Sequence, residues 1–522
     1  MLEKHLNNRF FIICLIPSIL GALTVLSFQP FNFTIINLII FPLLFFLINY
    51  INKKSKVVFR KKPYKINLFL LGLFFGFGFY LSGISWITNS LTFDNNFKVL
   101  IPFAIIFIPL FLSLFMAFTI LLVGPHLKFN FHSILLLASS LAISDYIRSK
   151  ILTGFPWNLW AYSTVWMREN LQILNDVGLY AYNLFVITIF IFPVILLFNL
   201  SLFKKCLYLI SVSSILLSLF IYGNYQINQN NKKLKDESNK IFVKIISPNF
   251  ELEYGLSAIQ IKERLNKLIR FSEPDRQKKT LFIWPEGVFS GYSYDEIKDF
   301  KKIFSDNFSK EHLIIFGTNK LDPSTGNFFN SMLIVDKDFE IIQGYNKLKL
   351  VPFGEFVPFE KFLSKFGLKK ITEGYGSFEK GAKNVNLKIN KADILPLICY
   401  EVIFTELLQK SDRNTNIIIN ISEDGWFGDS VGPHQHFSHS KFRAIEEGKH
   451  LIRSANNGIS AYISPRGKII SKLESTQKGV IEVKKFENVN KTFFAIHGNK
   501  IFFYFLIIYI SLFFFINKRE HK

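Results

Sequence analysis

Two patterns of apolar and polar positions divide the chain. As far as residue 223 it consists of long apolar runs broken by short polar turns; from residue 240 short β-rich runs alternate with amphipathic stretches. A helix crossing the hydrocarbon core of a bilayer needs about 20 mostly apolar residues. Runs of that kind are predicted at 10–28, 33–48, 68–87, 99–123, 132–147, 179–198 and 206–222, and an eighth at 501–516. The fifth is the least apolar, because it holds Ser139, Ser140, Ser144 and Asp145. The first follows Lys4 and Arg9 as a signal peptide would, but no small-residue cleavage pattern comes after it, so a retained anchor is expected.

The polar part has strand-like runs at 241–247, 281–284, 313–317, 332–335, 394–398, 417–421, 459–463 and 480–483. Ile261, Leu265, Leu268 and Ile269 recur at helical spacing, and a second helix is predicted over 436–449. The pattern therefore predicts a multi-pass α-helical membrane domain of about eight spans joined to an α/β domain. The boundaries read as 1–223 for the first seven spans, 224–239 for an Asn-, Gln- and Lys-rich linker, 240–499 for the polar domain and 500–522 for the last span and tail.

The formal net charge of +22 would suit nucleic acid, but the densest basic stretch, from Lys53 to Lys65, lies between two apolar runs and carries no interleaved aromatics. The charge is therefore read as a topology signal, and no nucleic-acid partner is expected. Counting eight spans, the amino terminus, the 53–65 loop, Lys204, Lys205 and the Lys518–Lys522 tail fall on one side, which the positive-inside rule makes cytoplasmic. The polar domain then lies outside the cytoplasm. Charges are scarce in the spans, which argues against an ion or proton transporter. Trp157 and Trp160, in the loop before the sixth span, read as an interfacial aromatic belt or as a surface that guides lipid or seats the outer domain.

Of the three cysteines, Cys14 and Cys206 belong to apolar runs, so no disulfide framework is plausible. Cys399 ends the strand-like run Leu395-Pro396-Leu397-Ile398 and is followed by Tyr400 and Glu401. Glu286 and Lys347 stand at the ends of two similar runs, in Trp284-Pro285-Glu286-Gly287 and Tyr345-Asn346-Lys347. A cysteine nucleophile needs a proton acceptor and a positive charge for the tetrahedral oxyanion. Glu286 could supply the first and Lys347 the second, and a neighbouring ammonium would lower the thiol pKa. Glu355 and Glu401 could orient the lysine and balance its charge. By alternation alone Cys399 is equally a packed core residue, and Lys349 competes with Lys347 for the inward position. Residue types and spacing reach a possible Cys-Glu-Lys acyl-transfer site and stop there.

The segments WPEG, YNKLKLVPFGEFVPF, ICYE and NISEDGWFGDSVGPHQHF resemble the nitrilase superfamily. With the flanking spans, the whole chain resembles the bacterial apolipoprotein N-acyltransferase family. That resemblance implies a nitrilase-like αββα sandwich on the periplasmic side of the inner membrane. It implies the triad Glu286, Lys347 and Cys399, with Glu355, Tyr400 and Glu401 in support, and the motif spacing selects Lys347 over Lys349. The implied reaction passes through a thioester. Its acyl donor is a phosphatidylethanolamine-like phospholipid and its acceptor a diacylglyceryl apolipoprotein, and it needs neither metal nor organic cofactor.

Tyr254 stands where the family has a tryptophan near the pocket and, with Trp426, is read as substrate-binding. Arg453-Ser454-Ala455-Asn456-Asn457-Gly458 matches a family segment and is read as a wall of the pocket. Glu423-Asp424-Gly425 replaces a commoner Asn-Asp-Ala and is expected to be neutral in effect. His434, His436 and His439 are read as surface histidines of a family loop rather than as metal ligands. Residues 353–359, with Gly354 between Pro352 and Pro358, read as a mobile lid. A monomer is expected. A membrane-anchored amidohydrolase, with water as second nucleophile, is the alternative enzyme.

Overall fold

A computed structural model describes residues 9–58, 64–233, 242–360, 376–382, 386–389, 392–408, 415–484 and 491–520. The chain forms two compact units: residues 1–226 with 497–522, and residues 227–496.

The first unit is helical. Its helices are α1 (Phe11–Ser27), α2 (Asn37–Val58), α3 (Tyr64–Ile84), α4 (Ile101–Val123), α5 (Phe131–Arg148), α6 (Leu174–Ile191, broken at Gly178) and α7 (Leu202–Lys233), with Lys500–Glu520 closing the chain. Each of the eight apolar runs coincides with one of them. Among the described residues six helices are long and apolar enough to cross a membrane, while α1 is shorter and α5 is more polar. Helix α7 continues to Lys233, so the first part of the stretch read as a linker is helical. The remainder of that stretch, and residues 59–63 of the basic loop, lie outside the described residues.

Small residues set the packing between these helices, since in an apolar solvent close backbone approach replaces the hydrophobic drive. A Cβ on Gly72 of α3 would lie 2.8 Å from the Cα of Ala117 on α4. The polar residues of α5 turn inward. The Asp145 carboxylate binds Arg148 at 3.0 Å and accepts from Asn183 at 2.9 Å, and Arg148 donates to the carbonyls of Phe155 and Trp157 at 2.6 and 2.9 Å. This pins the 153–160 loop against the bundle. Trp157 and Trp160 are each only 1% exposed, so they are core residues of the helical unit and form neither an aromatic belt nor a lipid-guiding surface.

The second unit holds two six-stranded sheets. Its strands are β1 (Phe242–Ser247), β2 (Thr280–Ile283), β3 (His312–Leu321), β4 (Phe328–Val335), β5 (Ile341–Asn346), β6 (Leu387–Ile389), β7 (Ala392–Ile398), β8 (Thr415–Glu423), β9 (His450–Asn456), β10 (Ser460–Ile463), β11 (Ile469–Leu473) and β12 (Gly479–Val483). The orders are β12-β1-β2-β3-β4-β5 and β11-β10-β9-β8-β7-β6. In each sheet the central trio, β1-β2-β3 or β7-β8-β9, is parallel, and the outer strands pair antiparallel. Parallel strands covered on both faces tend toward near-continuous apolar runs, and Leu281, Phe282 and Ile283 of β2 are all buried.

Helix α8 (Ala258–Ser272) lays Ile261, Leu265 and Leu268 on the outer face of the first sheet, against a core with Trp284, Phe282 and Phe316. Helix α9 (Gly432–Glu447) packs on β9 of the second sheet. The layers are thus α-β-β-α. The eight predicted runs did not include β5, β6, β9 or β11: β6 has three residues, β9 is rich in polar side chains, and β5 and β11 largely alternate half-buried with exposed positions.

Candidate active site

Three strand ends build the site. In open α/β sheets, side chains gather beyond the carboxyl ends of the strands, and here β2, β5 and β7 each deliver one reactive group. After β2, Trp284 is buried with its indole N–H donated to Ser272 Oγ at 3.0 Å, and Pro285 turns the chain so that Glu286 follows outside the ladder. After β5, the Lys347 amide extends the pairing by one bond to the Asn330 carbonyl, 2.9 Å, and its side chain is 1% exposed. Lys349, by contrast, points outward to Glu406 at 3.7 Å. The structure therefore puts Lys347 inside and leaves Lys349 partly exposed.

Cys399 follows β7 as the first residue of a tight turn, with φ at +50°. That left-handed conformation costs a non-glycine residue about 1–3 kcal/mol and persists only where its surroundings hold it. Asn420 Nδ2 donates to the carbonyls of Leu397 at 3.1 Å and Cys399 at 3.4 Å. Behind them Arg453 bonds Asn420 Oδ1 and grips both oxygens of Asp424, at 2.9 and 2.7 Å, while Asp424 also accepts from Ser422 Oγ at 2.7 Å. This buried polar layer fixes the cysteine turn. Arg453 therefore backs the turn instead of lining the pocket, and His436 and His439 are buried members of α9 instead of surface histidines. Among the described residues no group of three or more His, Cys, Asp or Glu is arranged to hold a metal ion.

The carboxylates connect the three ends. Asn330 Nδ2, on β4, donates to Glu286 Oε1 and to Glu355 Oε1, both at 2.7 Å. Lys347 Nζ lies 2.8 Å from Glu355 Oε1 and 3.8 Å from Glu286 Oε1. Glu355 Oε2 accepts from the Val351 amide at 2.8 Å, and Glu286 Oε2 from the Glu423 amide at 3.0 Å. Glu401 does not reach the ammonium as expected. Its carboxyl accepts from Tyr345 Oη at 2.9 Å and from the amides of Leu348, Lys349 and Ile398 at 2.7, 3.1 and 2.9 Å. It thus aligns the chain on both sides of Lys347 and at the entry to the cysteine turn. Tyr400 packs edge-on against Phe404, and the rings of Tyr254 and Trp426 lie 6.1 Å apart.

Burial governs the proton chemistry. It pushes the Cys399 thiol well above its usual range, with Glu286 adding to the rise and Lys347 opposing it, so the expected net lowering by the ammonium is not found. Burial also raises Glu286, against the pull of Lys347. For Lys347 burial acts downward, but Glu355 and Glu286 outweigh it and the ammonium persists. The resting thiol is therefore neutral, beside a carboxyl whose affinity for the proton is enhanced and a fixed positive charge. Deprotonation and attack on a carbonyl are best concerted.

Residues 20–192 match the family model for the apolipoprotein N-acyltransferase N-terminal domain, and residues 255–484 that for carbon-nitrogen hydrolase. An apolipoprotein N-acyltransferase from Rhodopseudomonas palustris is 30% identical over 477 residues, covering 88% of this chain and 87% of its own. This chain belongs to the apolipoprotein N-acyltransferase family. A second member, from Bradyrhizobium diazoefficiens, is 30% identical over 92% of this chain and 90% of its own. Among solved structures, Saccharomyces cerevisiae Nit3, of the nitrilase superfamily, is 19% identical, covers 47% of this chain and 90% of its own, and has a TM-score of 0.35. The family and the nitrilase-like fold drawn from the four sequence segments are borne out.

Sequence reasoning missed Asn330, Asn420 and Ser422. Each is a polar residue within an apolar strand run, and that interruption was the available signal.

Proposed function

We propose that this protein transfers an acyl chain from the sn-1 ester of a phospholipid to the N-terminal diacylglyceryl-cysteine of an apolipoprotein, through a thioester on Cys399. Family membership supports the overall activity. The observation that carries the chemistry is the left-handed Cys399, held beside Glu286 and the Lys347 ammonium.

Glu286 takes the thiol proton as sulfur attacks the ester carbonyl, and Lys347 stabilises the oxyanion. The proton passes to the departing lysophospholipid, leaving the thioester. The α-amine of the acceptor then attacks, Glu286 accepts its proton, and collapse gives the amide and returns the proton to sulfur. Glu355 holds Lys347, Glu401 holds the backbone around it, and Tyr400 supports the cysteine turn. Tyr254 and Trp426 contact the donor or acceptor lipid.

Residues 240–499 form the catalytic domain, and 1–223 with 500–522 place it in the bacterial inner membrane, facing the periplasm. The protein works as a monomer, with a phosphatidylethanolamine-like donor, a diacylglyceryl apolipoprotein acceptor and the bilayer as its partners.

The test is intact mass spectrometry after incubation with phospholipid, beside Cys399→Ala. A one-acyl mass gain, absent in the variant and discharged by a diacylglyceryl-cysteine peptide, is expected. Discharge by water at the same rate would instead make the protein a hydrolase. No gain in folded protein would remove the thioester route.

A further inference from the structure

Glu423 occupies the end of β8, and its main chain touches both reactive partners. Its amide donates to Glu286 Oε2 at 3.0 Å, and its carbonyl lies 3.9 Å from Cys399 Sγ. Its side chain, on a residue 2% exposed, reaches the other way. Oε2 accepts from Asn456 Nδ2 at 2.6 Å, and Oε1 accepts from Asn457 Nδ2 at 3.2 Å and the Gly425 amide at 2.7 Å.

The two asparagines in turn hold Phe250. Asn456 bonds its amide and carbonyl at 2.8 and 3.0 Å, and Asn457 bonds the carbonyl at 2.6 Å. Phe250 opens the segment that carries Tyr254, and Gly425 precedes Trp426, whose ring lies 6.1 Å from that of Tyr254. The carboxyl passes so close to Gly287, at φ +76°, that a Cβ there would meet Oε2 at 2.6 Å. One residue thus fixes the general base and nucleophile through its main chain, and both sides of the aromatic pair through its carboxyl.

We propose that Glu423 is a positioning residue that sets the acyl-donor selectivity of the site by locking the Tyr254–Trp426 pair in register with Glu286 and Cys399. The proposal rests on the acyl-transfer reading above. Bonds from the main chain survive side-chain substitution, so the chemistry at Cys399 should persist while the wall loosens. The ligand class that feels this is the hydrocarbon chain of the donor. The sequence alone suggested that Glu423 would be neutral in effect; its buried hydrogen bonds predict otherwise.

The experiment uses the full chain in mixed micelles. The rate of Cys399 acylation is followed by intact mass, with phospholipids bearing short, medium and long saturated sn-1 chains. Glu423→Ala should raise the apparent KM for the preferred donor and flatten the preference between donors by about tenfold, the scale of one methylene in an apolar pocket. The effect on the loading rate at saturating donor should be smaller than the effect on KM, and Glu423→Gln should restore part of the selectivity. Asn457→Ala, which keeps the carboxyl, should flatten the preference in the same direction and covers the case in which Glu423→Ala does not fold. A uniform loss of rate with all donors at unchanged preference overturns the proposal, as does wild-type selectivity in the variants. Wild-type protein that takes no acyl group from any donor sinks the acyl-transfer reading and this proposal with it, whereas an acylated wild type with equally selective variants sinks the proposal alone.

Discussion

Replacing Asn330 with alanine removes two hydrogen bonds of 2.7 Å, one to Glu286 Oε1 and one to Glu355 Oε1, while leaving the strand pairing of β4 in place. A hydrogen bond to a charged group contributes about 1.5–3 kcal/mol net. On Glu286 that loss falls on the ionised form, since the amide favours the carboxylate. Losing that bond should raise the carboxyl further. Glu286 must be ionised to take the thiol proton, so the acid limb of the acylation rate should move to higher pH. Near neutrality the rate falls with the ionised fraction. A further loss comes from orientation, because Glu286 Oε1 is left with Lys347 at 3.8 Å and is free to swing toward it. Misplacement of about 1 Å can cost 10²-fold. Together these predict a drop of about 10²–10³-fold in Cys399 acylation, read as single-turnover mass gain across a pH series. A rate within about threefold of wild type, with the acid limb unmoved, would refute the view that Asn330 orders the proton acceptor.

Two further outcomes are expected. Burial pushes the Glu423 carboxyl up to about 8, from about 4.5, against the donated bonds of Asn456, Gly425 and Asn457. A raised carboxyl contributes stability that is full below the unfolded value and is lost as pH rises through the folded one. Wild-type melting temperature should therefore carry a component that declines between about pH 4.5 and 8, and Glu423→Gln should remove it; identical slopes would reject the assignment. In the helical unit, Arg148→Ala strands the buried Asp145 carboxylate and should cost about 3–5 kcal/mol. The double variant Asp145→Leu with Arg148→Ala should recover part of that loss in detergent unfolding, and equal losses would show that the loop carbonyls, not the ion pair, need Arg148.

Much of the architecture was legible because its signals are local. Spanning length and the switch to short β-rich runs each reside in one stretch of chain, and all eight apolar runs became helices. The polarity of α5 was legible too, but its reason was not. Asp145 meets Asn183 only when α5 and α6 pack together, and Trp157 and Trp160 are buried by contacts from distant helices, with Arg148 bonding the Trp157 carbonyl and the Phe79 ring stacking on Trp160. The same limit applied to Cys399. Alternation could not separate a core cysteine from a nucleophile, since both point to the same face; the left-handed backbone and the nearness of Glu286 and Lys347 are visible only in the fold.

The sequence by itself determined the division into a helical and an α/β unit and the family, because short motifs and hydrophobic runs survive without knowledge of distant contacts. Tertiary structure alone decided what each carboxyl does. Glu355 grips the ammonium, Glu401 grips backbone instead, and Glu423 ties the reactive pair to an aromatic wall. It also decided the protonation of the thiol, where desolvation overcomes a neighbouring positive charge. Those outcomes depend on which groups from strands far apart in the chain share a water-poor space, and no single stretch of sequence encodes that.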